Sequence, residues 1–178
     1  NFEGAYQATE HLIKQGYKKI ALVSNAPVLS IAKERLAGYK AALTENGIAV
    51  DESLIKYCEH SGMFTNEMEE VVSTLLNADA KPDAIFAASD KITIGVLRIL
   101  NEKKINIPAN MGLVGFSNSE LTDLLNPSLT VVSQPAFEMG EVATELLLQM
   151  IESKHPIESF ETKVLSTELK VRCSTLNK

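Results

Sequence analysis

The sequence predicts an α/β protein, a parallel sheet flanked by helices on both faces, and three observations carry that prediction. Strand-length apolar runs at 19–24, 83–88 and 111–116 end at small polar residues. Between them the apolar residues switch to helical spacing, and the connections are short. Alternating strands and helices of this kind close into a sheet covered on both sides. The carboxyl ends of its strands then share one edge, which is where open α/β folds bind ligands.

Each element has its own signal. Phe2, Ala5, Thr9, Leu12 and Ile13 recur at helical spacing and stop at Gly16, a residue suited to a helix C-terminus. The run 19–24 reads as a buried strand. Leu36, Tyr39, Ala42 and Leu43 mark a second helix closed by Asn46-Gly47. A strand follows at 54–58, then a helix carrying Met68, Val71, Val72, Leu75 and Leu76 and ending near Asn77. After the strand 83–88, Asp90 is placed to cap a helix bearing Ile94, Leu97 and Leu100. Ile107-Pro108 forces an extended turn before the strand 111–116. The strand 129–132 and a long helix at 137–151 come next. The alternation over 162–171 predicts an antiparallel edge strand.

Composition narrows the function classes. With 45% hydrophobic and 22% charged residues over 178 positions, the chain is ordinary for one soluble globular domain. Its longest apolar stretches are strand-length, so no membrane span is expected. The first residue is Asn1 and no leader is evident, so the chain is expected to be a piece of a longer protein. Seventeen basic against 23 acidic side chains give a net charge of −6. Phosphate backbones are held by local excesses of Lys and Arg, so these residues are not expected to bind DNA directly. Cys58 and Cys173 are far apart and lie in apolar runs, which predicts reduced core cysteines in a cytoplasmic protein. His11, His60 and His155 fall in unrelated segments, with no triad, phosphate loop or metal spacing. No cofactor, metal or catalytic activity is expected.

In chain order the motifs are Glu10-His-Leu-Ile13, Gly16-Tyr-Lys-Lys-Ile-Ala21, Arg35-Leu-Ala-Gly-Tyr39 and Pro82-Asp-Ala-Ile-Phe-Ala-Ala-Ser-Asp90. Gly95, Leu97-Arg98, Ile107-Pro108, Val114-Gly-Phe116, Pro127-Ser-Leu-Thr130, Gln134-Pro135 and Glu138-Met-Gly140 complete the series. Together they resemble the effector-binding part of the LacI/GalR family of bacterial transcription regulators. The resemblance implies a type I periplasmic-binding-protein-like fold, mainly its C-terminal lobe. Residues 16–132 and 162–173 would form that lobe, and the helices within 1–15 and 135–153 would belong to the N-terminal lobe. The DNA-binding helix-turn-helix would lie upstream. It further implies a cytoplasmic homodimer, a sugar or sugar-like effector, and operator contact only through the missing head. A periplasmic sugar-binding protein of a transporter or chemoreceptor system shares the fold and is the alternative. Many family members carry an effector-bonding Asp after the Gly-Phe pair; here the run is Gly115-Phe-Ser-Asn118.

The candidate site follows from these placements. Arg35 offers a guanidinium fork for ligand oxygens, against the plainer role of a helix-start arginine. Ser24, Asn25, Ser89 and Ser117 stand at strand carboxyl ends, where small polar residues bind ligands but also make turns. Gln134 sits at the expected crossover between lobes. Phe64 or Tyr57 would supply an aromatic surface for the effector. Ile94 and Leu125 would line a dimer interface formed by the helix after Asp90 and the loop 120–126. Ile92, Ile94 and Leu97 cannot all face one core stripe, and Leu121, Leu124 and Leu125 crowd a short loop, leaving apolar surface to cover.

Overall fold

The computed structural model describes residues 1–153 and 161–176. The elements run α1 (Phe2–Lys14), β1 (Ile20–Asn25), α2 (Ser30–Glu45), β2 (Ile55–Cys58), α3 (Thr65–Asn77), β3 (Ala84–Ala87) and α4 (Asp90–Glu102). They continue as β4 (Gly112–Phe116), β5 (Thr130–Ser133), α5 (Ala136–Glu152) and β6 (Glu168–Lys170). One sheet has the order β2-β1-β3-β4-β5-β6, with β1 to β5 parallel and β6 antiparallel to β5.

Strand alternation divides the core between the two faces. Ala21, Val23, Ile85, Ala87, Leu113 and Val131 pack against α3 and α4 through Met68, Val72, Ile92 and Val96. Ile20, Leu22, Phe86, Val114, Phe116 and Val132 face the opposite way, toward Ala5, Ala8, Leu12, Tyr39 and Leu43 of α1 and α2. Tyr39 is fixed in that core by donating its hydroxyl to the Ile20 carbonyl at 2.6 Å.

Three expectations need correction. Residues 1–15 do not stand apart for another lobe: α1 lies on this sheet and against α2. Its small, apolar positions Ala5, Ala8 and Leu12 are fully buried, and a stripe with that spacing must be covered. The approach is so close that a Cβ on Gly38 would stand 2.2 Å from the Phe2 carbonyl oxygen. The closing strand is also shorter than 162–171, because only Glu168–Lys170 pairs with β5. Cys58 is buried as expected, but Cys173 is exposed on a 3-10 turn. That turn grips the sheet. Ser174 Oγ accepts from Thr130 N–H at 2.8 Å and donates to the Leu113 carbonyl at 2.6 Å, so its hydroxyl is committed and the neighbouring Cys173 points away.

In contrast to α1, α5 has no buried residue, and Phe137, Leu147, Leu148 and Ile151 on it are exposed. Among the described residues no helix is long and apolar enough to cross a membrane.

Candidate functional site

The carboxyl ends of β1, β3, β4 and β5 converge on one edge, and Ser24, Asn25, Ser89, Ser117 and Gln134 stand there because each ends or follows a strand. The sheet's alternation splits this rim in two. Ser24 continues the Ile20 and Leu22 face toward α2, and Asn25 continues the Ala21 and Val23 face toward α4.

On the α2 side lies Arg35, only 3% exposed. Its Nη1 donates to the Ala88 carbonyl at 2.6 Å, just past the end of β3. Its Nε and Nη2 both donate to Asn1 Oδ1, at 3.1 and 3.0 Å. The guanidinium carbon is 3.5 Å from the Phe116 ring centroid, a cation–π contact that helps offset burial of the charge. Burial pushes the Arg35 pKa down to about 10, which leaves it cationic at neutral pH. The predicted fork is therefore at the rim, but two of its nitrogens already clasp Asn1. Beside it, the Ser24 hydroxyl is 1% exposed and has no hydrogen-bond partner among the described residues.

The α4 side is a set of short polar contacts. Ser89 Oγ donates to Asn25 Oδ1 at 3.5 Å. Ser117 Oγ accepts from Ser119 N–H at 3.1 Å and donates to Asp90 Oδ1. Asp90 is thus not the side-chain cap that its position predicts. It is the first residue of α4, preceded by Ser89 as N-cap, and its carboxylate turns to β4 instead. Asn118 Oδ1 accepts from Gln134 N–H at 2.7 Å, which fixes the chain as it leaves β5. Gln134 is half-buried beside a cleft of about 430 Å³ that it lines with Asn1, Glu34, Met139 and Leu165.

Of the two aromatic candidates, Tyr57 is partly buried against the α1–α2 core. Phe64 is 49% exposed at the start of α3 and meets His60 edge-on at 4.8 Å. His60 in turn is tied to Glu67, whose Oε1 accepts from the His60 N–H at 3.2 Å. Among the described residues no group of three or more His, Cys, Asp or Glu is placed to hold a metal ion. His155 lies outside the described residues. The sequence reading missed Asn1 and the Asp90–Ser117 contact. The second was findable, since both residues follow the ends of adjacent parallel strands; the first was not, because nothing in a helix's leading residue foretells a distant arginine.

Residues 9–175 match the family model for the periplasmic binding protein-like domain. The chain belongs to that family. Its relatives are LacI-family repressors. The ribose operon repressor of Haemophilus influenzae is 34% identical over 164 residues, covering 91% of this chain and 47% of that protein. The chain thus spans about half the length of the curated relatives it matches. The crystal structure of transcription regulator CcpA of Lactococcus lactis superposes with a TM-score of 0.85 at 30% identity, covering 98% of this chain and 62% of that one. A LacI family regulator from Enterococcus faecium with bound ribose gives 0.83 at 30% identity, covering 98% and 62%.

This periplasmic-binding-protein-like domain also exposes apolar residues beside the rim. Ile94 is 43% exposed in a groove of about 290 Å³ between α3 and α4, shared with Met63, Met68 and Asp90. Leu125 instead packs partly buried against the α3–α4 core, while its neighbours Leu121 and Leu124 are exposed. The loop's surplus apolar surface is real but is carried by different leucines, because Leu125 is the one that the core absorbs.

Proposed function

We propose that this chain is the effector-sensing part of a LacI-type transcriptional regulator. A sugar or sugar-like effector binds at the carboxyl edge, touching Ser24, Asn25, Ser89 and the Asp90–Ser117 pair, with Gln134 and Phe64 at its margins. Arg35 anchors that surface from beneath. The helix within 135–153 belongs to a second lobe that closes over the effector, which gives its exposed apolar residues a partner. Operator DNA is bound by a helix-turn-helix outside these residues, in a cytoplasmic homodimer that covers Ile94 and the loop 120–126. The effector works through its differential affinity for the open and closed arrangements of the lobes.

One observation carries the reading: five strand-end polar residues gather on one edge, and the Ser24 hydroxyl among them is buried with no partner among the described residues. A buried hydroxyl without a partner is costly, and a ligand hydroxyl would satisfy it. The repressors among the relatives favour a regulator over a transport-linked binding protein. The test is a thermal-shift screen of sugars on the full-length protein, followed by operator binding with and without the best of them. A sugar that raises the melting temperature and changes operator affinity is expected. Operator binding indifferent to every stabilising sugar would overturn the proposal.

A further inference from the structure

We propose a second ligand site on the flank of the sheet, a cavity of about 280 Å³ beside the 3-10 turn Glu120–Asp123, which takes a small zwitterion of the α-amino acid class. In the β5–β6 ladder Lys170 stands opposite Val131 and so shares its side of the sheet, the α4 side. The cavity opens there between the turn and the two strands, and no residue of α1 to α5 lines it. Ser117 and Asn118 close the end nearest the rim. Four charged side chains line it, and they divide by wall. Glu120 and Asp123 come from the turn, Lys170 and Arg172 from β6 and the residues after it. Among the described residues no ion pair joins the two walls, and Lys170 instead meets Glu168 of its own strand at 3.7 Å. Arg172 is held in place: its Nη1 donates to the Leu129 carbonyl at 2.6 Å and to Thr122 Oγ1 at 3.1 Å. Its Nε and Nη2 have no partner among the described residues, and the Glu120 and Asp123 carboxylates accept nothing from them.

That division chooses the ligand. Opposite charges that do not reach each other across a gap are satisfied by a molecule that carries both. A ligand carboxylate meets Arg172 and Lys170, and its ammonium meets Glu120 and Asp123, each through charge-assisted bonds. A lone anion or a lone cation gains one wall and is repelled by the other. Glu168 beside Lys170, and Asp90 behind Ser117, add negative charge at two borders of the cavity, which counts further against an anion. Ligand cavities run from about 300 to 1,000 Å³, so this one suits a single amino acid and not an oligomer. The argument uses none of the contacts assigned to the sugar effector.

The test is a thermal-shift screen of the standard L-amino acids on the full-length protein. Calorimetric titration then compares the most stabilising one with its carboxamide and its N-acetyl derivative, each of which lacks one of the two charges. The amino acid should bind about tenfold or more tighter than either derivative. Lys170→Glu should weaken it about tenfold, and so should Glu120→Gln combined with Asp123→Asn. All three side chains are exposed, so these variants should keep the wild-type circular dichroism. A derivative that binds as tightly as the amino acid, or an affinity indifferent to both sets of substitutions, overturns the proposal. So does a screen in which no amino acid stabilises the protein. Each of these outcomes leaves the sugar-effector reading standing, since that reading is tested by sugars and operator binding.

Discussion

At the scale of single residues, buried polar groups hold distant stretches of the chain together. Arg35 ties three separate stretches together: Asn1 ahead of α1, Ala88 after β3, and Phe116 at the end of β4. Arg35→Ala would leave the Ala88 carbonyl unpaired in the interior, release Asn1 and remove the contact on Phe116, and should destabilise the fold by about 2–4 kcal/mol in chemical denaturation. Arg35→Lys should recover little, since one ammonium nitrogen cannot take the place of three nitrogens that reach Asn1 Oδ1 and the Ala88 carbonyl. His11 allows a test by pH. Its Nε2 contacts Thr175 Oγ1 at 2.8 Å, and burial first, then the Lys14 charge, lowers its pKa from 6.5. The folded state then binds fewer protons than the unfolded chain, so stability falls as pH drops through the unfolded value near 6.5. The melting temperature should decline between pH 7.5 and pH 5.5, and His11→Gln should flatten that part of the profile.

At the scale of elements, backbone contacts decide what fits. Gly38 lets α2 touch α1, and a methyl there would collide with the Phe2 carbonyl. Gly38→Ala should therefore cost about 1–3 kcal/mol, read as a shifted urea midpoint. The order of strands and helices was legible in the sequence because the central strands β1, β3 and β4 are buried on both faces and read as continuous apolar runs. The ends of the elements at the rim were legible too, since Ser24, Ser89 and Ser117 each interrupt such a run. The partnering of α1 was not. Its stripe of Phe2, Ala5, Thr9 and Leu12 announces that a face is buried, but the spacing says nothing about what buries it. Nor does the β-like alternation over 162–171 reveal that only Glu168–Lys170 finds a partner strand. Asp90 shows the same limit: cap geometry and a contact to β4 require the same residue at the same position.

At the scale of the whole molecule, the described residues that stay exposed and apolar after the sheet is covered include those of α5, Ile94 on α4, and Leu121 and Leu124. A regulator that closes over an effector and reads a two-fold operator has a use for such residues. Ile94→Arg in the full-length protein should shift it from dimer to monomer in sedimentation while leaving its circular dichroism unchanged; a variant that stays dimeric would place the interface elsewhere. The proposed effector site is the carboxyl edge of this sheet. It is tested most directly by a crystal structure of the full-length protein with the sugar that stabilises it most. That sugar is expected within hydrogen-bonding distance of Ser24, Asn25 and Asp90, with Arg35 still clasping Asn1. A sugar bound out of reach of Ser24, Asn25 and Gln134, as against Ile94 and Arg98 in the α3–α4 groove, would count against that edge.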